Sequence, residues 1–160
     1  MKPKAIIRAL LLVFVAGSLA YLFFRDGRDV NDAAGDSDEL VLAVEGVEPQ
    51  VVVYFFDGDI KCASCEKIKV YTLEAMNTLF ADELASGVLS YRKHNRDRPQ
   101  HAHFIDEYGL ITKSLVMVER DNGEQVRWKN LDKIWDLSYD KAKFLEYVRV
   151  NAQEYLDGAS

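Results

Sequence analysis

Cysteine, histidine and proline are scarce in this chain: two, three and three in 160 residues. A closed zinc site takes four ligands, and besides carboxylates only Cys62, Cys65, His94, His101 and His103 are present to supply them. There is no internal repeat, and no Gly-rich phosphate-binding fingerprint marks a flavin or nicotinamide site. A basic stripe is also missing. The net charge is -6, and the stretch from Arg25 to Gln50 accounts for it, setting Arg25 and Arg28 against Asp26, Asp29, Asp32, Asp36, Asp38, Glu39, Glu45 and Glu48. The remainder nearly balances, so nothing collects cations to neutralise phosphates, and nucleic acid is excluded as a partner.

What is present begins with "MKPKAIIRALLLVFVAGSLAYLFF". Lys2, Lys4 and Arg8 precede an apolar run to Phe24, and Ser18-Leu19-Ala20 is followed by apolar bulk where a cleavage site calls for a boundary. The run from Ala5 to Phe24 matches a bilayer crossing. Residues 1–24 therefore read as a signal anchor. The basic cluster favours a cytoplasmic N-terminus, which predicts a single-pass protein of the cytoplasmic membrane whose domain faces the periplasm or cell exterior. Residues 25–48 open with "RDGRDVNDAAGDSDE" and read as an acidic flexible tether. The patch "LVLAVEGV", Leu40 to Val47, either ends that tether or adds an edge strand.

Residues 49–160 hold the folded domain, long enough for one core. "VVVYFF", Val51 to Phe56, is short, β-branched and aromatic, which predicts a strand buried on both faces. A helix follows, with Ile68, Tyr71, Thr72, Ala75, Met76, Leu79 and Phe80 on one stripe that ends near Gly87. "VLSYRKHN" predicts a second strand, and "DRPQHAHFIDEYG" a short helix capped by Asp97 with Phe104, Ile105 and Tyr108 inward. "SLVMVER" and "EQVRWK" flank Asp121-Asn122-Gly123, a hairpin signal. Ser138 or Asp140 caps a last helix carrying Phe144, Leu145, Val148, Ala152, Tyr155 and Leu156. A βαβ unit, a hairpin and a C-terminal helix make an α/β, thioredoxin-like fold, with a mixed sheet of about four strands flanked by helices.

In this layout Cys62 stands where the first helix begins and Cys65 one turn inside, in "IKCASCEK". Unpaired N–H groups at a helix start stabilise a thiolate, so Cys62 is the expected nucleophile. Cys65, more buried, is the expected resolving thiol. Lys61 is expected to assist the thiolate and Asp57 and Asp59 to oppose it. Three uses of the pair compete: redox exchange with a protein disulfide or dithiol, a copper or zinc delivery site of two thiolates and a histidine, and an idle bridge. The first is favoured by Cys-x-x-Cys after the strand of a βαβ unit in an extracytoplasmic setting. His101 and His103 are two apart and point apart on a helix; His101 is expected in the core and His103 in water, and no metal ligand is assigned. Trp128 and Trp135 are expected to be core or capping aromatics.

"VYFFDGDIKCASCEKIKVYTLEAM", "YGLITKSLVMVE" and "VRWKNLDKIWDL" resemble the thioredoxin-like family known as nitrophenyl compound nitroreductase subunit ArsF, from about Val52 to the C-terminus. The resemblance implies a thioredoxin fold with Cys62 and Cys65 as the redox pair; with no Gly-rich fingerprint in the chain, no cofactor of its own is expected. It further implies an electron-passing accessory, with a second redox protein supplying or accepting electrons. Thioredoxin itself differs in having Gly-Pro where this chain has Ala63-Ser64, Trp where it has Lys61, and a buried Asp where "VYFF" has Tyr54. The thioredoxin cis-proline loop, which pairs with substrate, corresponds to Thr112, Lys113 and Ser114, without proline; a trans peptide or a differently shaped loop is expected there. Lys113 then either brings an ammonium toward Cys62 or is a solvated lysine at a strand entry.

Overall fold

The computed structural model describes residues 38–159, which fall within one compact unit. The signal-anchor run and most of the predicted tether lie outside the described residues, and among the described residues no helix is long and apolar enough to cross a membrane. The architecture is α/β. Five strands form one sheet in the order β1-β3-β2-β4-β5: β1 is Glu39–Leu42, β2 Val51–Asp57, β3 Leu89–Asn95, β4 Ser114–Asp121 and β5 Glu124–Asn130. Only β2 and β3 run parallel; the other neighbours are antiparallel. One strand more is present than expected, because the patch beginning at Leu40 supplies β1, which pairs Glu39 with His94 and Leu42 with Tyr91.

β2 is buried along its whole length, as a strand flanked by partners on both edges and layers on both faces must be. Alternation divides its side chains. Val51, Val53 and Phe55 enter the larger core with Ile68, Ala75 and Met76 of helix α1 (Ala63–Leu79) and Phe144, Val148, Ala152 and Tyr155 of α4 (Lys141–Gly158). Val52, Tyr54 and Phe56 enter a smaller, aromatic core with Tyr108 of α3 (His103–Tyr108), Leu110, Val116 and Val118, against which Phe104 packs. Helices thus cover both faces. Each buried Phe, Val or Met contributes roughly 1.5–3 kcal/mol by leaving water.

The helix expected to run to Gly87 breaks once. At Phe80 the backbone turns to φ -129°, ψ 27°, ending α1 and starting the short α2 (Ala81–Ser86), while the Phe80 ring stays in the core. The apolar stripe continues through the break. Leu79 falls off that stripe and is exposed. Asp97 does not cap the next helix: a 3-10 turn, Pro99–His101, leads into α3 without a side-chain cap. The Asp97 carboxylate instead accepts the Asp59 N–H at 2.8 Å. Asp140 does cap α4, accepting from the Lys143 N–H. In the β4–β5 hairpin, Asn122 and Gly123 have φ of 51° and 82°, the pair of positive angles that a two-residue turn of this hand requires. The sheet register then shifts between Glu119 and Arg120.

Candidate functional site

The C-terminal ends of β2 and β3 and the N-terminal end of β4 emerge on one side of the sheet, since Phe56 pairs with both His94 and Ser114. Loops from this side carry the expected site residues. After Asp57 the chain crosses Gly58 and Asp59 and reaches Cys62, the N-cap residue of α1, in extended conformation. Cys62 and Cys65 are joined as a disulfide. The Cys65 N–H donates to the Cys62 sulfur at 3.1 Å, and the Glu66 N–H to the Cys62 carbonyl at 3.0 Å. Cys62 is exposed and Cys65 buried.

The two carboxylates expected to oppose a thiolate are both engaged by cations. Asp59 is bound by Arg98, at 3.1 Å, and by the Asn95 amide, at 2.8 Å. These bonds hold its carboxyl below the usual range. Asp57 is buried, and three lysines converge on it: Lys113 in direct contact, Lys61 at 3.7 Å and Lys93 at 3.8 Å. Burial alone would raise the Asp57 carboxyl, but the Lys113 hydrogen bond, the Gly58 N–H and the charges of Lys113 and Lys61 outweigh it and hold the carboxyl low. One buried carboxylate thus faces three lysine side chains at this end of β2.

Lys113 is therefore not the solvated strand-entry lysine that was one alternative; it is 6% exposed, and its ammonium is directed to Asp57. No cis peptide occurs among the described residues. Trp135, partly buried, donates its indole N–H to the Lys113 carbonyl at 3.0 Å. Arg96 donates to the carbonyls of Leu110 and Thr112. Thr112, Lys113 and Ser114 line a cavity of about 140 Å³ together with Ile111, Leu131 and Trp135; the cysteines are not part of that lining. Trp128 is exposed and not part of the core, though its ring stands edge-on to Tyr108 with centroids 5.3 Å apart.

Local reading missed the part played by Asp57, although a lone acid ending an all-apolar strand, with lysine four residues on, was a signal. The histidines also combine differently from their spacing. His101 is buried and His103 exposed, as expected, but the neighbour of His101 is His94, with ring centroids 4.4 Å apart. Burial, helped by His101 alongside, pushes the His94 pKa down to about 4, so its ring is neutral at pH 7. Among the described residues the cluster of three groups close enough to share a metal ion is Glu39, His94 and His101; neither cysteine belongs to it. Comparison of the chain with protein-family models, curated proteins and solved structures finds no match.

Proposed function

We propose that this chain is a membrane-anchored thiol–disulfide oxidoreductase of thioredoxin-like fold, facing the periplasm or cell exterior and passing electrons between a protein disulfide or dithiol and a second redox partner. The observation that carries the reading is the Cys62–Cys65 disulfide at the start of α1, with one sulfur exposed and the other buried. The parallel β2-α1-β3 unit, the β4–β5 hairpin and α4 support the fold assignment. The Cys65 N–H aimed at the Cys62 sulfur supports an ionised Cys62 in the reduced state. The resemblance to the ArsF family of nitroreductase subunits adds an accessory role, delivering electrons to a reducing centre held elsewhere.

The exchange runs in two displacements. A partner thiolate attacks the exposed Cys62 sulfur, forming a mixed disulfide, and Cys65 leaves with the bond's electron pair. A second partner thiolate then attacks the partner sulfur of the mixed disulfide and releases Cys62 as thiolate. Two electrons have moved onto the cysteine pair and the partner has become a disulfide; run backwards, the same steps reduce a partner disulfide. Cys65, leaving as a thiolate, takes its proton from water, and in the reverse direction it gives that proton up to water. Tyr54 offers no carboxylate, and Asp57, held low by Lys113, is a weak base. Around the sulfurs, Ile60 is 81% exposed and Tyr139 78%, and the Tyr139 hydroxyl lies 3.5 Å from the Ser64 hydroxyl in the first turn of α1. Such bare apolar groups beside Cys62 suit docking of another protein. The Thr112, Lys113 and Ser114 loop, with the 91% exposed Ile111 before it, extends that surface, and Lys61 tunes the thiolate.

Trapping tests the assignment. With the purified full chain in mild detergent and oxidised glutathione, Cys65→Ser should accumulate a glutathione adduct at Cys62. Cys62→Ser should accumulate far less at Cys65. Equal trapping by the two variants, or by neither, would reject the proposed roles.

A further inference from the structure

At the edge of the sheet, away from the disulfide, three side chains converge from separate parts of the chain. Glu39 of β1 and His94 of β3 are directly paired across the ladder, and His101 approaches from the 3-10 turn after β3. One possible ligand atom from each lies within 4.8 Å of the other two. Ligands about 2.1 Å from a tetrahedral zinc ion stand roughly 3.4 Å apart, so small side-chain rotations close the set. Glu39, on the exposed side, is free to make them.

Two features set this cluster apart from a packed pair of histidines. The His94 Nδ1 is buried and has no hydrogen-bond partner, although the Glu39 carboxylate stands 3.4 Å away; a buried nitrogen left so is destabilising unless something occupies its lone pair. His101 has the opposite arrangement. Its Nδ1 lies 3.0 Å from the Asn95 carbonyl, which only accepts, so Nδ1 is the donor and Nε2 is the nitrogen left to offer a lone pair. An imidazole oriented by a backbone carbonyl on one nitrogen, with the other available, is the common arrangement of a metal-bound histidine.

The surrounding backbone is also braced. The Asn95 N–H donates to the Asp38 carbonyl at 3.1 Å and the Asn95 amide to the Asp38 carboxylate at 2.9 Å. Arg98, whose carbonyl accepts the His101 N–H, binds Asp38 at 2.6 Å. All three candidate ligands are thereby fixed to one network.

We propose that Glu39, His94 and His101 form a binding site for a divalent transition metal of the zinc class, with three protein ligands and a fourth position for water. Two imidazoles and one carboxylate are borderline ligands that suit zinc, leaving magnesium and calcium disfavoured. Bound there, the ion would clamp β1 to β3 and to the turn that leads into α3.

The test uses the full chain in mild detergent, stripped of metal by chelation and then titrated with Zn²⁺ and, separately, Co²⁺. One equivalent should bind, and Co²⁺ should give visible bands of a four- or five-coordinate ion without a sulfur-to-cobalt charge-transfer band. Affinity should fall by ~10-fold or more in Glu39→Gln and further in His101→Gln, and should stand unchanged in the Cys62→Ser/Cys65→Ser double variant. Glu39 is exposed, so its substitution leaves folding intact and keeps the test decisive. Binding unaffected by Glu39→Gln and His101→Gln, binding lost with the cysteines, or no one-to-one binding of either ion would each overturn the site.

Discussion

Two polar clusters lie side by side where β2 and β3 end, and they are provisioned in opposite ways. Asp57, on β2, is a buried charge with three lysines around it and a backbone N–H besides. His94, one register step back on β3, is a buried neutral ring with an unpartnered nitrogen beside an exposed carboxylate. The first cluster is saturated and ties the two loops of the disulfide end together, because Lys113 reaches it from the loop that enters the neighbouring strand β4. The second has capacity left over. Burial alone does not tell a structural polar group from a receptive one; the count of its partners does.

The largest expected break in this contrast is Asp57→Asn, which leaves Lys113 and Lys93 buried beside a neutral amide. Loss of one member of a buried pair costs about 3–5 kcal/mol, to be read as a lower denaturant midpoint at pH 7. Adding Lys113→Met should restore much of the loss. If Asp57→Asn alone unfolds at the wild-type midpoint, the cluster does not hold the loops.

Acid sharpens the same point. The Asp57 carboxyl titrates lower in the folded chain than its unfolded value of about 3.9. Its stabilisation is therefore complete above that value and is lost as pH falls through the lower, folded one. The stability gap between wild type and Asp57→Asn should be constant above about pH 5 and should narrow below about pH 4. A gap that widens in acid would mean that folding raises the Asp57 carboxyl instead of lowering it.

Smaller effects belong to the other cluster and to the brace between them. His94→Phe keeps a ring among Tyr54, Phe56 and Phe104, so in metal-free chain it should change stability by less than about 1.5 kcal/mol. Trp135→Phe removes the donor to the Lys113 carbonyl and should cost about 1 kcal/mol. Glu39→Gln, at the surface, should stay within about 0.5 kcal/mol without metal. Chemical denaturation of all three, run with and without Zn²⁺, would show His94→Phe and Glu39→Gln lagging the wild type only when the ion is present.

Much of the fold was legible because it is written in short periods. The unbroken apolar run of β2, the i, i+4 stripe of Ile68, Thr72 and Met76, the Asn122-Gly123 turn and the Asp140 cap are local signals, and each is found where expected. The placement of Cys62 at a helix start followed from them. Where reading failed, the cause was distance in sequence. Asp97 has the chemistry of a cap but finds a better donor in the Asp59 N–H, 38 residues away. Likewise the partners of Asp57 come from three different elements, and the meeting of His94 with Glu39 depends on the β1–β3 register, which no window of neighbouring residues contains. The short spacing of His101-Ala102-His103 is visible in the chain, whereas the neighbour that His101 finds, His94, is adjacent only in the fold.

The rims of the sheet have a consequence of their own. β1 offers just four residues for pairing, and β5 is mostly exposed and carries Glu124, Arg127 and Lys129, while the ladder beside it is kinked at Glu119 and Arg120. Short, charged and bent margins discourage strand addition. Copies of this chain crowded on a common surface should accordingly resist stacking into fibres.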